Sequence, residues 1–132
     1  MNPVVHFEMP YDDRDRIARF YEQAFQWKLQ KLGPEMGNYV LATTLEQDAR
    51  PDAPRGGING GFFPRSPDMP GQHPSVVIGV RDIAAAMKAV AAAGGEVLGT
   101  PMQIPGVGQY VAFFDTERNR LSMLQPDMPG SH

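Results

Sequence analysis

A histidine and a glutamate stand two residues apart near the start of the sequence, within the segment VVHFEM at positions 4–9. The apolar and β-branched residues of this segment predict a β-strand that Pro10 closes. Because alternate side chains of a strand leave the same face, His6 and Glu8 are predicted to lie side by side. In a half-buried site, a carboxylate next to an imidazole can act as a general base. The structural alternative is an internal hydrogen bond or ion pair between the two side chains.

A second group of candidate residues follows near position 60. Asn59, Gly60 and Gly61 can aim a side-chain amide and backbone N–H groups at the oxyanion of a ligand. The glycines can equally serve only to let a strand bend. A third candidate, His73, is predicted to be a surface-loop histidine because Pro74 ends the strand-like segment next to it.

The elements that position these residues are predicted from periodicity and turn residues. After an acidic start typical of a helix N-terminus comes a stripe with helical spacing, made of Ile17, Phe20, Tyr21, Ala24 and Phe25. Further strands of the first half are predicted at 27–32, 38–44 and 58–63. The second half is predicted to contain strands at 75–80, 96–98, 109–114 and 120–125, a helix starting at Asp82, and a loop at 101–108.

The order of these elements repeats. At an offset of 69 residues Asp13 corresponds to Asp82, and at an offset of 71 the segment GNYV at 37–40 lies over GQYV at 108–111. We therefore predict one domain over 1–132, built from two β-α-β-β-β modules. The first module spans 3–63, a proline-rich connector spans 64–74, and the second module spans 75–126. A four-stranded sheet with one helix leaves one face bare, so this α+β fold is predicted to form a curled mixed sheet with a central cleft.

The composition excludes several classes of protein. A length of 132 residues fits one domain. Twelve basic and fifteen acidic side chains give a formal charge of −3, without the Lys/Arg run of a nucleic-acid-binding face. The absence of cysteine excludes disulfides, thiol nucleophiles and Cys-ligated metal. Since no apolar run approaches the ~18 residues of a membrane span, we expect a cytoplasmic protein without nucleic-acid or membrane partners.

Three segments and the two-module order carry a resemblance to a known family. The segments are VHFEMP at 5–10, FYEQAFQW at 20–27, and the stretch from FFD at 113–115 to NRL at 119–121. Together they resemble the vicinal oxygen chelate superfamily, which includes glyoxalase I, bleomycin-resistance proteins, extradiol dioxygenases and methylmalonyl-CoA epimerase. HFE at 6–8 with GINGG at 57–61 is similar to the branch of predicted enzymes related to lactoylglutathione lyase. The glycine that this family usually carries before the tryptophan is replaced by Gln26.

The resemblance also bears on metal binding. In metal-dependent members, two ligands come from the first strands of the modules and two from their last strands. His6 falls on the first of these positions, whereas the corresponding positions of the second module fall on Ser75 and Ser122. The last-strand position of the first module falls in Asn59-Gly60, again without a carboxylate. Since His6 is the only retained residue of a ligand type, we expect no metal and no other cofactor, with a divalent ion as the minor alternative.

The function implied by the resemblance is binding of a small carbonyl-containing or drug-like molecule in the cup. In the preferred interpretation, a lyase or isomerase, Glu8 removes a proton next to a carbonyl without a tight metal site and His6 assists. The residues predicted to hold the ligand are Asn59, Gly60, Ser75, Tyr110 and Ser122. Tyr39, the repeat equivalent of Tyr110, is predicted either to line the cup or to face the core, and we favour the core.

Two alternatives leave open whether the chain is an enzyme. One is a non-catalytic protein that sequesters a small molecule, as bleomycin-resistance proteins do. The other is a structural or regulatory relic of an enzyme, its cleft filled by its own side chains. The resemblance further implies a homodimer, with the cleft built within one chain or between two.

Overall fold

The computed structural model describes residues 1–45, 56–69 and 72–127. These residues form eight strands, two α-helices and one short 3-10 helix at Pro34–Met36. In chain order the strands and α-helices are β1 Val4–Tyr11, α1 Arg14–Phe25, β2 Lys28–Lys31, β3 Val40–Thr43, β4 Gly60–Pro64, β5 Ser75–Gly79, α2 Ile83–Ala92, β6 Glu96–Ile104, β7 Gly108–Phe114 and β8 Arg120–Pro126. No helix in these ranges is long and apolar enough to cross a membrane.

The chain divides into two compact units, each with one α-helix. The first unit is His6–Pro74, and the second unit combines Met1–Val5 with the chain from Ser75 onward. Strand β1 therefore begins in the second unit, where the Gly79 N–H donates to the Pro3 carbonyl at 2.8 Å. From its third residue, His6, onward β1 belongs to the first unit.

The sheet of the first unit has the strand order β2-β3-β4-β1. Strands β1 and β4 run parallel, with Glu8 opposite Gly61, and the other neighbouring pairs are antiparallel. One sheet face packs against α1 through a core of buried Tyr11, Val40, Ala42 and Phe62. Phe7 and Met9 pack against the same core, so alternate residues of β1 face the helix.

Both ends of α1 have identifiable caps. At the N-terminus the Asp13 carboxylate accepts the Arg16 N–H at 3.0 Å, which satisfies a backbone donor that the helix leaves unpaired. At the C-terminus Gln26 adopts a left-handed conformation with φ 57°. This conformation is the one that glycine adopts at least cost, so a glycine would fit this position better than Gln26 does.

The second unit repeats this arrangement. Its strand order is β5-β8-β7-β6, with β5 and β8 parallel and the remaining neighbours antiparallel. Helix α2 starts after Asp82, whose carboxylate accepts the Ala85 N–H at 3.1 Å. The core beneath α2 consists of buried Val80, Ile83, Val111, Phe113 and Met123.

One predicted loop of the second unit is a strand. The prediction of a short strand at 96–98 followed by a loop at 101–108 is wrong, because β6 runs to Ile104. Its pairing with β7 shifts register between Leu98 and Met102, where Gly99 has φ 90°. Pro101 fits because β6 is the outermost strand of this order, and an edge strand tolerates a residue without an N–H.

Candidate functional site

The sheet of the first unit has one face that is not covered by α1. Since Phe7 and Met9 of β1 point towards the helix, His6 and Glu8 leave the opposite face. Gly61 lies beside Glu8 on β4, and the side chain of Tyr39 comes from the residue before β3. We call this surface, with His6, Glu8, Tyr39 and Gly61, the helix-free face.

One hydroxyl joins the two polar side chains of β1. The Tyr39 hydroxyl donates to Glu8 Oε2 at 3.0 Å, and its oxygen lies 2.9 Å from His6 Nε2. The rings of His6 and Tyr39 are stacked, with an interplanar angle of 18°. Glu8 is only 9% exposed, whereas His6 and Tyr39 are half-buried. The result is a chain of three polar groups, Glu8–Tyr39–His6, within one sheet face.

Burial favours the neutral form of the imidazole in this chain. Burial lowers the pKa of His6 below its ordinary value of 6.5, because it disfavours the charged imidazolium. The nearby Glu8 carboxylate acts in the opposite direction, but its effect is the smaller of the two. A neutral imidazole has one N–H and one nitrogen with a lone pair, so His6 can donate and accept.

Tyr39 is the member of this group whose position the sequence left open. It was predicted to be either cup-lining or core, with the core favoured, but its hydroxyl contacts His6 and Glu8. Gly61 provides the room, because a Cβ there would overlap the phenol of Tyr39. The available signals were the repeat, which pairs Tyr39 with Tyr110, and a glycine on the neighbouring strand.

Asn59 and Gly60 lie at the start of β4. The side-chain oxygen of Asn59 accepts the backbone N–H groups of Thr44 at 2.8 Å and Leu45 at 3.1 Å. It thus fixes the chain just beyond β3. A Cβ on Gly60 would overlap the Phe7 ring, so the absence of a side chain here leaves room for Phe7 to pack against the α1-side core. Their predicted role in ligand binding stays a prediction.

The predicted residues of the second unit lie on the corresponding face of its own sheet. Ser75 and Val77 alternate with Ile78, which packs against the α2-side core, and Ser122 lies opposite Val77. Ser122 is buried, and its hydroxyl donates to the Tyr110 hydroxyl at 2.5 Å. Ser75 is half-buried at the start of β5. The structure thus brings Ser122 and Tyr110 together, and their ligand-binding roles stay predictions.

Two surface grooves lie elsewhere. One of about 400 Å³ runs along the β1–α1 connection and is lined by Asp12, Arg16 and Phe20 among others. The other, of about 420 Å³, lies beside the start of α2. Neither is lined by a member of the Glu8–Tyr39–His6 chain. His73 is exposed, in keeping with a position on a surface loop.

The donor set of the helix-free face does not fit a resident divalent metal ion. Within the described ranges, no three His, Asp or Glu side chains group in a way that could hold one. The face offers a carboxylate, an imidazole and a phenol hydroxyl, and His6 Nε2 already contacts Tyr39. Catalytic zinc sites, for example, use three protein ligands drawn from imidazole, carboxylate and thiolate groups. We therefore derive no step through a metal.

Comparisons with known proteins identify relatives across almost the whole chain. A sequence model of the Glyoxalase/Bleomycin resistance protein/Dioxygenase superfamily matches residues 4–123. A "Glyoxylase-like domain-containing protein" of Didymella fabae is 30% identical over 115 residues, which cover 85% of this chain and 84% of that protein.

Solved structures agree in fold. Methylmalonyl-CoA epimerase from Mycobacterium tuberculosis has a TM-score of 0.68 at 12% identity, covering 95% of this chain and 88% of that chain. The Streptomyces coelicolor methylmalonyl-CoA epimerase in complex with 2-nitronate-propionyl-CoA also has a TM-score of 0.68, at 14% identity and with coverage of 98% and 99%. At these identities the likeness shows the fold alone. The predicted α+β fold is confirmed, and so is the resemblance that the sequence segments carry.

Proposed function

The chain belongs to the glyoxalase/bleomycin resistance protein/dioxygenase superfamily, and we propose that it binds a small carbonyl compound on the helix-free face and removes a proton next to the carbonyl. In this step the C–H bond breaks, Glu8 takes the proton, and the electron pair moves to the carbonyl oxygen as an enolate. Return of the proton to a neighbouring atom or to the opposite face of the same carbon completes an isomerase-type reaction. The step needs no redox partner.

The observation that carries this proposal is the hydrogen-bonded chain Glu8–Tyr39–His6. A carboxylate that is 9% exposed is a costly residue to bury without a purpose or a partner. The Tyr39 hydroxyl holds one carboxylate oxygen at 3.0 Å and so fixes the orientation of the group, as a positioned general base requires.

The structural neighbours support this class of reaction without fixing the substrate. They include epimerases named for methylmalonyl-CoA. An epimerase that acts at a carbon next to a carbonyl removes and returns a proton there, which is the step proposed for Glu8. Of the predicted binding residues, Asn59 and Gly60 belong to the same unit as this face, and we keep them in the proposal as residues that contact the ligand. The ligand-binding roles of Ser75, Tyr110 and Ser122, which belong to the second unit, stay predictions.

The same burial also favours a second candidate, sequestration without catalysis. Glu8 accepts a hydrogen bond from Tyr39, so its carboxylate is stabilised within the protein even without a substrate. In that case the ligand binds to other apolar and polar side chains of the helix-free face, and Glu8 has a structural role only.

A thermal-shift screen tests the proposed ligand class and the contact between Glu8 and the ligand. The compounds are small 2-oxo acids, 2-hydroxy ketones and aldehydes, tested on the wild type, E8Q and E22Q. Glu22 is exposed on α1, so E22Q is the matched control. A compound at about a hundred times its Kd stabilises the folded protein by about 2.7 kcal/mol. We expect at least one compound to raise the Tm of the wild type and E22Q, and its effect to be smaller in E8Q.

Other outcomes of the screen are equally informative. An equal rise in Tm in all three proteins would mean that Glu8 contributes little to ligand binding, and the rate of proton exchange at the bound compound would then decide between catalysis and sequestration. If no carbonyl compound changed the Tm of the wild type, the proposed ligand class would be wrong.

A further inference from the structure

Tyr39 has a backbone that is fixed on both sides. The two residues before it adopt left-handed conformations, Gly37 with φ 67° and Asn38 with φ 55°. The Tyr11 hydroxyl donates to the Asn38 carbonyl at 2.7 Å, and the Leu32 N–H donates to the Tyr39 carbonyl at 2.8 Å. The side chain therefore leaves the chain from a defined point.

The ring of Tyr39 occupies space that only a glycine leaves on β4. A Cβ at Gly61 would overlap Cε1, Cζ and the hydroxyl of Tyr39. Gly61 is paired with Glu8, so the phenol lies over the backbone next to the carboxylate that it contacts. Because Gly61 has no side chain, the Tyr39 hydroxyl can reach His6 and Glu8 on β1.

A count of protons fixes the direction of the hydrogen bonds. A phenol has one proton, and Tyr39 donates it to Glu8 Oε2. Its oxygen must then accept at the contact with His6, so Nε2 is the donor across the 2.9 Å separation. A neutral imidazole has one N–H, and its place on Nε2 leaves the lone pair on Nδ1.

We propose that Tyr39 is a positioning residue, which holds His6 in the Nε2–H tautomer and links its imidazole to the Glu8 carboxylate. His6 then presents Nδ1 to a ligand as a hydrogen-bond acceptor. The significance of this tautomer for turnover rests on the proposed function, whereas the tautomer itself is a property of the protein without ligand.

The test is the tautomer of His6 in the ¹⁵N-labelled full-length protein, read from two-bond ¹H–¹⁵N correlations of the imidazoles at neutral pH. The chain has three histidines, and the H6Q variant identifies the signals of His6. We expect the Nε2–H pattern in the wild type and a mixture of both tautomers in Y39F. The exposed His73 should give the same signals in both proteins.

The matched control is Y21F. Tyr21 belongs to the α1-side core, and its hydroxyl contacts the sulfur of Met9 at 3.6 Å. Y21F should keep the wild-type pattern of His6. G61A, which displaces the phenol without removing its hydroxyl, should reproduce the mixture seen in Y39F.

Two results would overturn the proposal: an Nδ1–H pattern in the wild type, or an unchanged His6 pattern in folded Y39F. If Y39F did not fold, the wild-type spectrum alone would decide. Because no substrate is added, a negative result removes the role of Tyr39 and leaves that of Glu8 to be judged separately. Likewise, evidence that Glu8 does not act as a base would leave the result on the His6 tautomer unchanged.

Discussion

His6, Glu8 and Tyr39 form a polar network that is joined through the Tyr39 hydroxyl. The Tyr39 hydroxyl satisfies the buried carboxylate and the half-buried imidazole at the same time. Loss of a partner inside a protein leaves a desolvated polar atom, which costs roughly 1–3 kcal/mol. The network is therefore sensitive to single substitutions and to the protonation of its imidazole.

We predict that the stability of the protein falls as the pH is lowered through the range just below 6.5, in part because of His6. The folded state lowers the pKa of His6, so in this range the unfolded chain binds more protons than the folded one. Protonation therefore favours unfolding. The stabilisation is fully present above pH 6.5 and is lost as the pH falls towards the lower pKa of the folded state.

The measurement is the free energy of unfolding in urea between pH 8 and pH 5 for the wild type, H6Q and H73Q. H6Q should show a weaker dependence on pH than the wild type, and H73Q, at an exposed position, should follow the wild type. Identical pH dependence in the wild type and H6Q would show that burial does not shift the pKa of His6.

The sequence predicted part of this network and missed the rest for a definite reason. The two-residue period of a strand places His6 and Glu8 on one face whatever the tertiary structure is. Tyr39 precedes the short strand β3 and follows two left-handed residues, so alternation along the strand does not give its direction. The roles of the adjacent glycines were equally hidden, because Gly60 faces Phe7 and Gly61 faces Tyr39.

Among the secondary-structure elements, α1 carries an avoidable conformational cost. Gln26 ends the helix with φ 57°, a region that costs an L-residue with a side chain roughly 1–2 kcal/mol. Glycine avoids that cost, although its greater conformational freedom in the unfolded chain lowers the gain in stability by roughly 0.5–1 kcal/mol. The side-chain contact from Gln26 to the Gln23 carbonyl is exposed and adds little.

We therefore predict that Q26G stabilises the protein by roughly 0.5–1 kcal/mol. The matched control is Q23G, the same substitution inside α1, which should destabilise it by about 1 kcal/mol. Urea unfolding of both variants and the wild type measures the two effects. A loss of stability in Q26G would mean that relief of the left-handed conformation is outweighed by the greater freedom of glycine in the unfolded chain.

Strand β6 shows the limit of turn residues as signals. Gly99 and Pro101 predict a break in a strand, and the chain between Leu98 and Met102 does shift register. The strand nevertheless resumes to Ile104, because an outermost strand can accommodate a bulge and a residue without an N–H. Edge position is a property of the sheet, which the local sequence does not contain.

For the molecule as a whole, the internal repeat was the most informative feature of the sequence. The order β-α-β-β-β occurs twice in the structure, and each unit buries a core between one helix and its own sheet. A repeat of this kind constrains the fold strongly because both copies must satisfy the same pattern of apolar residues. The repeat constrains the chemistry weakly, because the two copies differ at the candidate site residues. His6 and Glu8 of the first copy correspond to Ser75 and Val77 of the second.

The most direct test of the role of Glu8 is exchange of carbon-bound hydrogen with solvent. The wild type, E8Q and E22Q are incubated in D₂O with the carbonyl compound that raises the Tm of the wild type most, and ¹H NMR follows the proton next to the carbonyl. Removal of a general base costs roughly 10²–10⁴ in rate. We predict deuterium incorporation with the wild type and E22Q, and a rate lower by a factor of this size with E8Q. A bound compound that incorporates no deuterium, or incorporates it equally fast with E8Q, would contradict the proposed role of Glu8.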